Sequence, residues 1–189
     1  MKEYIFSTFL ESGIYSLPFI LLAWVIAILA LRRRQRPIGW FWLIALAGLI
    51  TALVNLIQNT FTILPFQGEF SLFGRVNLIP FVGIMKMVDD LLSAQPSNYS
   101  FTNFFGNIGF FIPLGFFIPF LSKKIASAWK VILMGCGFSL FIEICQLFMP
   151  TRGSDIDDII LNTLGTALGY LLFWVFARLL PKFVERTQG

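Results

Sequence analysis

Long stretches without charged residues alternate along this chain with short charged segments. Four stretches contain no Asp, Glu, Lys or Arg, and a fifth contains a single carboxylate, Glu143. A helix of about 20 apolar residues crosses the hydrocarbon core of a bilayer, and each stretch is long enough to form one. We therefore predict an all-α, polytopic membrane helix bundle with five membrane-spanning helices. The predicted spans are Ile14–Leu31, Ile38–Ile57, Phe101–Leu121, Trp129–Phe148 and Ile159–Leu179.

The composition agrees with this pattern and narrows the class of protein. Of the 189 residues, 57% are hydrophobic and 13% are charged, whereas a soluble domain carries about 25% charged residues. The sequence contains no histidine, which removes the commonest general base and metal ligand. We therefore exclude nucleic-acid-binding, disulfide-rich secreted and dinucleotide-binding proteins, and expect the lipid bilayer as the main partner.

Basic residues concentrate in alternate loops and set the predicted orientation. Ten of the 14 Lys and Arg residues follow the first, third and fifth spans, where Glu185 is the one acid; the other side has four basic residues and eight acids. Because basic loops stay cytoplasmic, we predict a plasma-membrane protein with its N-terminus outside and its C-terminus in the cytoplasm. Binding of anionic lipid is an alternative use of the same basic residues.

The spans suggest three parts. We expect a helical hairpin over residues 1–60, a membrane domain with an outer loop and three spans over 61–180, and a cytoplasmic tail over 181–189. Within the outer loop, apolar and charged residues alternate at helical spacing. This pattern predicts an amphipathic helix near residues 80–92, lying in the outer interface or folded back on the bundle.

Polar side chains within the third and fourth spans are candidates for function. Asn103 and Asn107 share one helix face, and so do Glu143 and Gln146. A carboxylate in the apolar zone is costly, so Glu143 should face the bundle interior and have a partner. A purely structural interpretation is an interhelical hydrogen bond from Glu143 or Gln146 to Asn107 or Asn162.

The segment before the fifth span is acidic. Ser154 or Asp155 is a natural N-cap, and the helix dipole favours carboxylates in the first turn. At ~100° per residue, one face carries carboxylates first, then an amide, then a pair of small residues suited to close helix packing, while Asp157 points elsewhere. The positions on that face are Asp155, Asp158, Asn162, Gly165 and Gly169.

Antiparallel neighbouring spans joined by short loops would bring these groups together at their outer ends. We predict an acidic, amide-lined pocket in the outer leaflet. Carboxylate pairs can act as acid and base, so the candidate catalytic residues are Asp155, Asp158 and Glu143. The candidate ligand-binding residues are Asn77, Asn103, Asn107, Gln146, Arg152 and Asn162. Carboxylate and amide oxygens suit Mg²⁺ or Ca²⁺, which makes a divalent cation a candidate cofactor, although no spacing here is diagnostic of a metal.

Four ordered motifs resemble those of the VanZ-like family of integral membrane proteins. They are Asn77-Leu78-Ile79-Pro80-Phe81, then Asn103-Phe104-Phe105-Gly106-Asn107 with Pro113-Leu114-Gly115, then Glu143-Ile144-Cys145-Gln146, and Asp155-Ile156-Asp157-Asp158 with Asn162, Gly165 and Gly169. The resemblance covers residues 70–175. It implies a bacterial envelope protein, since some members of the family are associated with resistance to the lipoglycopeptide teicoplanin. It supplies no catalytic residues and no reaction.

Three functions remain open from the sequence. The pocket could bind or modify the head group of a cell-wall or envelope lipid, or of a lipid-linked precursor. The chain could instead be a non-enzymatic interaction protein that excludes a lipoglycopeptide or assists another envelope complex. A small transporter is the third candidate, based on Glu143, but no internal repeat of the kind many transporters show is visible.

Overall fold

A computed structural model of the chain describes residues 40–61, 76–147 and 153–187, together with six separate positions before Trp40. These ranges contain six α-helices and two very short strands, with a 3-10 turn at Lys123–Ile125 between the third and fourth helices. The helices are α1 (Trp40–Phe61), α2 (Val82–Leu91), α3 (Asn98–Leu121), α4 (Ala128–Gln146), α5 (Ile156–Leu179) and α6 (Pro181–Thr187). The strands are β1 (Val76–Asn77) and β2 (Ser154–Asp155).

The predicted all-α bundle is confirmed. Three of the described helices, α3, α4 and α5, are long and apolar enough to cross a membrane. Helix α1 matches the predicted second span, whereas the predicted first span, Ile14–Leu31, lies almost wholly outside the described residues.

Two spans begin three residues earlier than predicted because polar caps extend them. Helix α3 begins after Ser97, whose side chain accepts a hydrogen bond from the Ser100 N–H at 3.2 Å. Helix α5 begins after Asp155, whose carboxylate accepts from the Asp157 N–H at 2.9 Å. Of the two predicted N-caps, Ser154 and Asp155, the structure has Asp155. The sequence placed both starts too late because the first turn of α5 is charged and that of α3 is polar, so neither reads as part of an apolar span.

Helices α3 and α5 form the closest packed pair and run parallel, with α4 antiparallel to both. A Cβ atom on Gly165 would overlap the carbonyl oxygen of Ile108, and one on Gly169 would overlap that of Ile112. Gly115 on α3 approaches the α5 backbone in the same way. The predicted close packing at the small residues of α5 is confirmed, because a larger side chain would push the two backbones apart.

The two ends of the bundle differ in chemistry. At one end, which we call the basic end, Phe120, Phe173 and Val184 form a buried cluster that holds α6 against α3 and α5. Exposed cations surround it: Lys123, Lys124, Arg178 and Lys182. The other end, which we call the acidic end, contains Glu143 at the end of α4 and Asp155, Asp157 and Asp158 at the start of α5. There β1 pairs in parallel with β2, with Val76 opposite Ser154 and Asn77 opposite Asp155.

Candidate functional site

The acidic end brings together polar groups from α3, α4 and α5. Asn107 Nδ2 donates to Asp158 Oδ1 at 2.6 Å, which joins α3 to the first turn of α5. The Asp155 backbone N–H donates to Glu143 Oε2 at 2.8 Å, which joins α5 to the last turn of α4. Glu143 is 2% exposed and therefore faces the bundle rather than lipid. The predicted convergence of the three spans is confirmed.

Asp155 is the junction between the acidic end and β1. Its Oδ1 atom accepts from Asn77 Nδ2 at 3.0 Å and from the Asp157 N–H at 2.9 Å. The Asn77 side chain also accepts from the Ile79 N–H at 3.1 Å, which folds the chain into a turn after β1. Asn77, a candidate ligand-binding residue, thus uses both ends of its amide to fix the chain that enters α2.

Asp157 is the residue whose importance the sequence did not reveal. It is 0% exposed, and its carboxylate accepts the backbone N–H groups of Phe81 at 2.5 Å, Gly83 at 2.6 Å and Ile84 at 3.1 Å. These donors form the start of α2, where helical N–H groups lack partners within the helix. As predicted, Asp157 points away from the Asp158 face, and its target is α2. The motif Asn77–Phe81, in which a polar residue and a proline precede an amphipathic helix, was the one signal that could have suggested this contact.

Local geometry at the start of α2 fits the Asp157 carboxylate closely. Phe81 has a left-handed backbone, with φ of 69°, which turns its N–H toward Asp157. A Cβ atom on Gly83 would lie 2.9 Å from Asp157 Oδ2. Glycine at this position therefore lets the backbone approach the carboxylate.

The far end of α2 is tied to α3. The backbone N–H and the hydroxyl of Ser97 donate to Asp90 Oδ2 at 3.0 and 2.6 Å. These bonds from Ser97, with a further one from Ser100, hold the pKa of Asp90 below its ordinary value. Helix α2 thus lies across the acidic end, and its Phe81 and Met85 side chains are exposed. The predicted amphipathic helix exists, and it is folded back on the bundle.

A second set of polar contacts lies between α4 and α5. With its nitrogen turned toward Glu143, the Gln146 amide donates to either carboxylate oxygen at 3.2 Å. Asn162 Nδ2 donates to Ser139 Oγ at 2.8 Å. The structural interpretation paired Glu143 or Gln146 with Asn107 or Asn162, and these pairs are wrong. Gln146 bonds to Glu143, which also accepts from the Asp155 N–H. Asn107 bonds to Asp158, and Asn162 bonds to Ser139.

One described candidate residue takes no part in the hydrogen bonds given above. Asn103 lies one turn before Asn107 on α3 and is half-buried. Arg152 lies outside the described residues. Within the described ranges, no group of three or more Asp, Glu or Cys residues has an arrangement that could hold a metal ion. The described carboxylates of this end accept hydrogen bonds from amides and backbone N–H groups instead.

The comparisons with known proteins bear on the same part of the chain. Searches of curated proteins and of solved structures gave no match. A family model described as VanZ/LLP1 matches residues 40–177. That range contains α1 to α4, all but the last two residues of α5, and every described residue of the acidic end. This chain therefore belongs to the VanZ/LLP1 family.

Proposed function

We propose that the acidic end binds the polar head group of a cell-wall or envelope lipid, or of a lipid-linked precursor, in the outer leaflet of the plasma membrane. The predicted orientation supports the location, because the basic loops that mark the cytoplasmic side lie at the opposite end of α3, α4 and α5. A head group at that depth would meet the half-buried side chains of Asn107, Asp155 and Asp158.

One observation carries this proposal: polar and apolar surfaces meet at the acidic end. Asn77, which bonds to Asp155, is followed at once by Leu78 and Ile79, which are 71% and 66% exposed. Phe81, beside the Asp157 carboxylate, is exposed as well. Apolar side chains next to half-buried carboxylates match an amphiphile, whose tail seeks hydrocarbon and whose head needs hydrogen bonds.

Binding and modification draw on the same residues. Glu143, Asp155 and Asp158 are the carboxylates available as general acid and base if the bound head group undergoes a reaction. Binding alone needs their hydrogen-bonding capacity and charge. Binding is therefore the function we propose, and the association of some family members with teicoplanin resistance supplies a phenotype with which to test it.

A second function, as a non-enzymatic interaction protein, is favoured by Asp157. This carboxylate is fully buried, and each of its described contacts fixes α2 to α5. On this interpretation the acids shape a surface for another envelope component. The two functions differ in what happens at the neighbouring, half-buried Asp158, which accepts a hydrogen bond from the Asn107 side chain.

The test replaces Asp158 with Asn, which keeps an oxygen for the Asn107 bond and removes the charge. We expect Asp158→Asn to abolish protection against teicoplanin in a susceptible host while the protein accumulates normally in membranes. Asp89→Asn, at an exposed position on α2, is the matched control and should keep protection. Normal protection by Asp158→Asn, Asp155→Asn and Glu143→Gln would contradict the proposal. Loss of protection strictly in step with loss of protein would favour the second function.

A further inference from the structure

A buried oxygen atom beneath the acidic end has no partner. Asn162 is 4% exposed, and its Nδ2 atom donates to Ser139 Oγ. Its Oδ1 atom is buried and accepts no hydrogen bond from any residue that the structure describes. Because a buried carbonyl oxygen without a donor is costly, this atom marks a place where a donor from outside the chain would be favourable.

The Asn162 side chain is directed toward the acidic end. Side chains of a helix lean toward its N-terminus, and α5 begins at the acidic end, so Asn162 leans toward Asp158, one turn away on the same face. Its partner Ser139 lies one turn from Glu143 on α4. Asn162 thus forms the floor of a site that has Glu143 and Asp158 above it and Asp155 at its rim, a depth of roughly 10 Å from residue 155 to residue 162.

Among the described side chains of this site, the amide donors are committed to other groups, whereas two acceptor oxygens are not. The committed donors are Asn77 Nδ2 on Asp155, Asn107 Nδ2 on Asp158, Asn162 Nδ2 on Ser139 and the Asp155 N–H on Glu143. At the rim, Asp155 Oδ2 accepts no hydrogen bond from the described part of the chain, and at the floor the same holds for Asn162 Oδ1. In the described part of the site, these two oxygens are therefore acceptors that a ligand could use.

Resting on the proposed function, we infer that the acidic end selects a head group that donates hydrogen bonds, one with hydroxyl or ammonium groups, over a bare phosphate. Hydroxyl and ammonium groups supply the N–H and O–H donors that Asp155 Oδ2 and Asn162 Oδ1 lack. A phosphate monoester is an anion whose oxygens are acceptors. It would be repelled by the carboxylates, and it would bring no hydrogen-bond donor to Asp155 Oδ2 or Asn162 Oδ1. The inference thus narrows the ligand class of the proposed site.

The experiment compares lipids that differ in head group alone. The purified full chain in nanodiscs would be titrated, with native mass spectrometry as the readout, with phosphatidic acid, phosphatidylethanolamine and a monoglucosyl diacylglycerol of identical acyl chains. We expect the ammonium or the sugar lipid to bind at least about tenfold more tightly than phosphatidic acid, the ratio for one hydrogen bond to a buried oxygen that is otherwise unsatisfied. Soluble methyl glucoside and ethanolamine, run as competitors, separate a lipid ligand from a free solute.

The outcomes distinguish a failure of this inference from a failure of the proposed head-group binding. Phosphatidic acid binding as tightly as the donor lipids would overturn the inference and leave head-group binding intact. Equal, weak adsorption of every lipid and of a diacylglycerol without a head group would overturn the proposed function as well. Displacement by the soluble competitors at similar concentrations would assign the site to a free solute and contradict the lipid.

A matched pair of variants tests the part played by Asn162. Asn162→Leu and Ser139→Ala both remove the hydrogen bond between these residues, but only the first removes Oδ1. We expect Asn162→Leu to lose the tenfold preference and Ser139→Ala to keep it at a similar loss of thermal stability. Equal preferences in the two variants would overturn the role of Oδ1. If Asn162→Leu does not accumulate, Asn162→Asp, which keeps a side-chain oxygen, should retain the preference, and its loss there would contradict the inference.

Discussion

The two ends of the bundle each carry a short helix, and the two helices are attached in different ways. Helix α2, at the acidic end, has no buried residue and is held by hydrogen bonds to Asp157 and Asp90. Helix α6, at the basic end, buries Val184 and packs Phe183 in an aromatic cluster. Directional bonds to single carboxylates hold one helix, and apolar contact holds the other.

This difference is the one expected between a binding site, at the acidic end, and a part of the fold that only stabilises the chain, at the basic end. Aromatic packing tolerates shifts and substitutions of similar volume, whereas each carboxylate of the acidic end needs its own donors at fixed distances. Such buried polar groups are retained in a membrane protein where they serve a purpose. Stability should therefore depend on both ends, and ligand binding on the acidic end alone.

The largest expected effect is at the basic end. Phe120 is fully buried, with its ring against Phe173 and Phe176. Phe120→Ala should lower the free energy of unfolding by about 3–5 kcal/mol, the cost of the lost apolar contact and the cavity left behind. Phe141→Ala, at an exposed position on α4, is the control and should change it little. Thermal unfolding in detergent measures the effect of both substitutions. Loss of head-group binding in Phe120→Ala, at a temperature where the variant remains folded, would contradict the expectation that binding depends on the acidic end alone.

A smaller loss is expected from Asp157→Asn at the acidic end. One carboxylate oxygen accepts from Phe81 and the other from Gly83 and Ile84, so an amide nitrogen in place of either oxygen would face a donor. We expect the free energy of unfolding to fall by about 2–3 kcal/mol. Hydrogen exchange should show faster exchange at Gly83 and Ile84 and unchanged protection in α6. Protection of α2 equal to that in Asp89→Asn would show that Asp157 does not hold this helix.

The smallest effect concerns Asp90 and depends on pH. Hydrogen bonds from Ser97 and Ser100 lower the pKa of Asp90 in the folded chain below its ordinary value of 3.8. A lowered pKa means that the ionised form is favoured by folding, so its stabilisation is present above 3.8 and is lost as the pH falls through the folded pKa. The difference in unfolding temperature between the wild type and Asp90→Asn should therefore be constant near neutral pH and vanish in acid. A difference that grows in acid would contradict this assignment.

Much of the acidic end followed from periodicity along single helices. Asp155 and Asp158 were placed on one face of α5 by the ~100° rotation per residue, and Glu143 was directed inward by the cost of a charge in lipid. The partners were not predictable in this way. Asn107 bonds to Asp158 across 51 residues and Asn77 to Asp155 across 78, and no local rule ranks such distant pairs.

The sequence by itself determined the class of protein, the apolar helices, the segregation of acids from basic residues and the family motifs, because these depend on residue type and local spacing. The tertiary structure decided which acid does what. It buried Asp157 against the backbone of α2, left Asp158 half-buried beside Asn107, and left Asn162 Oδ1 without a described donor. Two neighbouring aspartates of identical chemistry differ in role because helical rotation turns one toward α2 and the other toward α3.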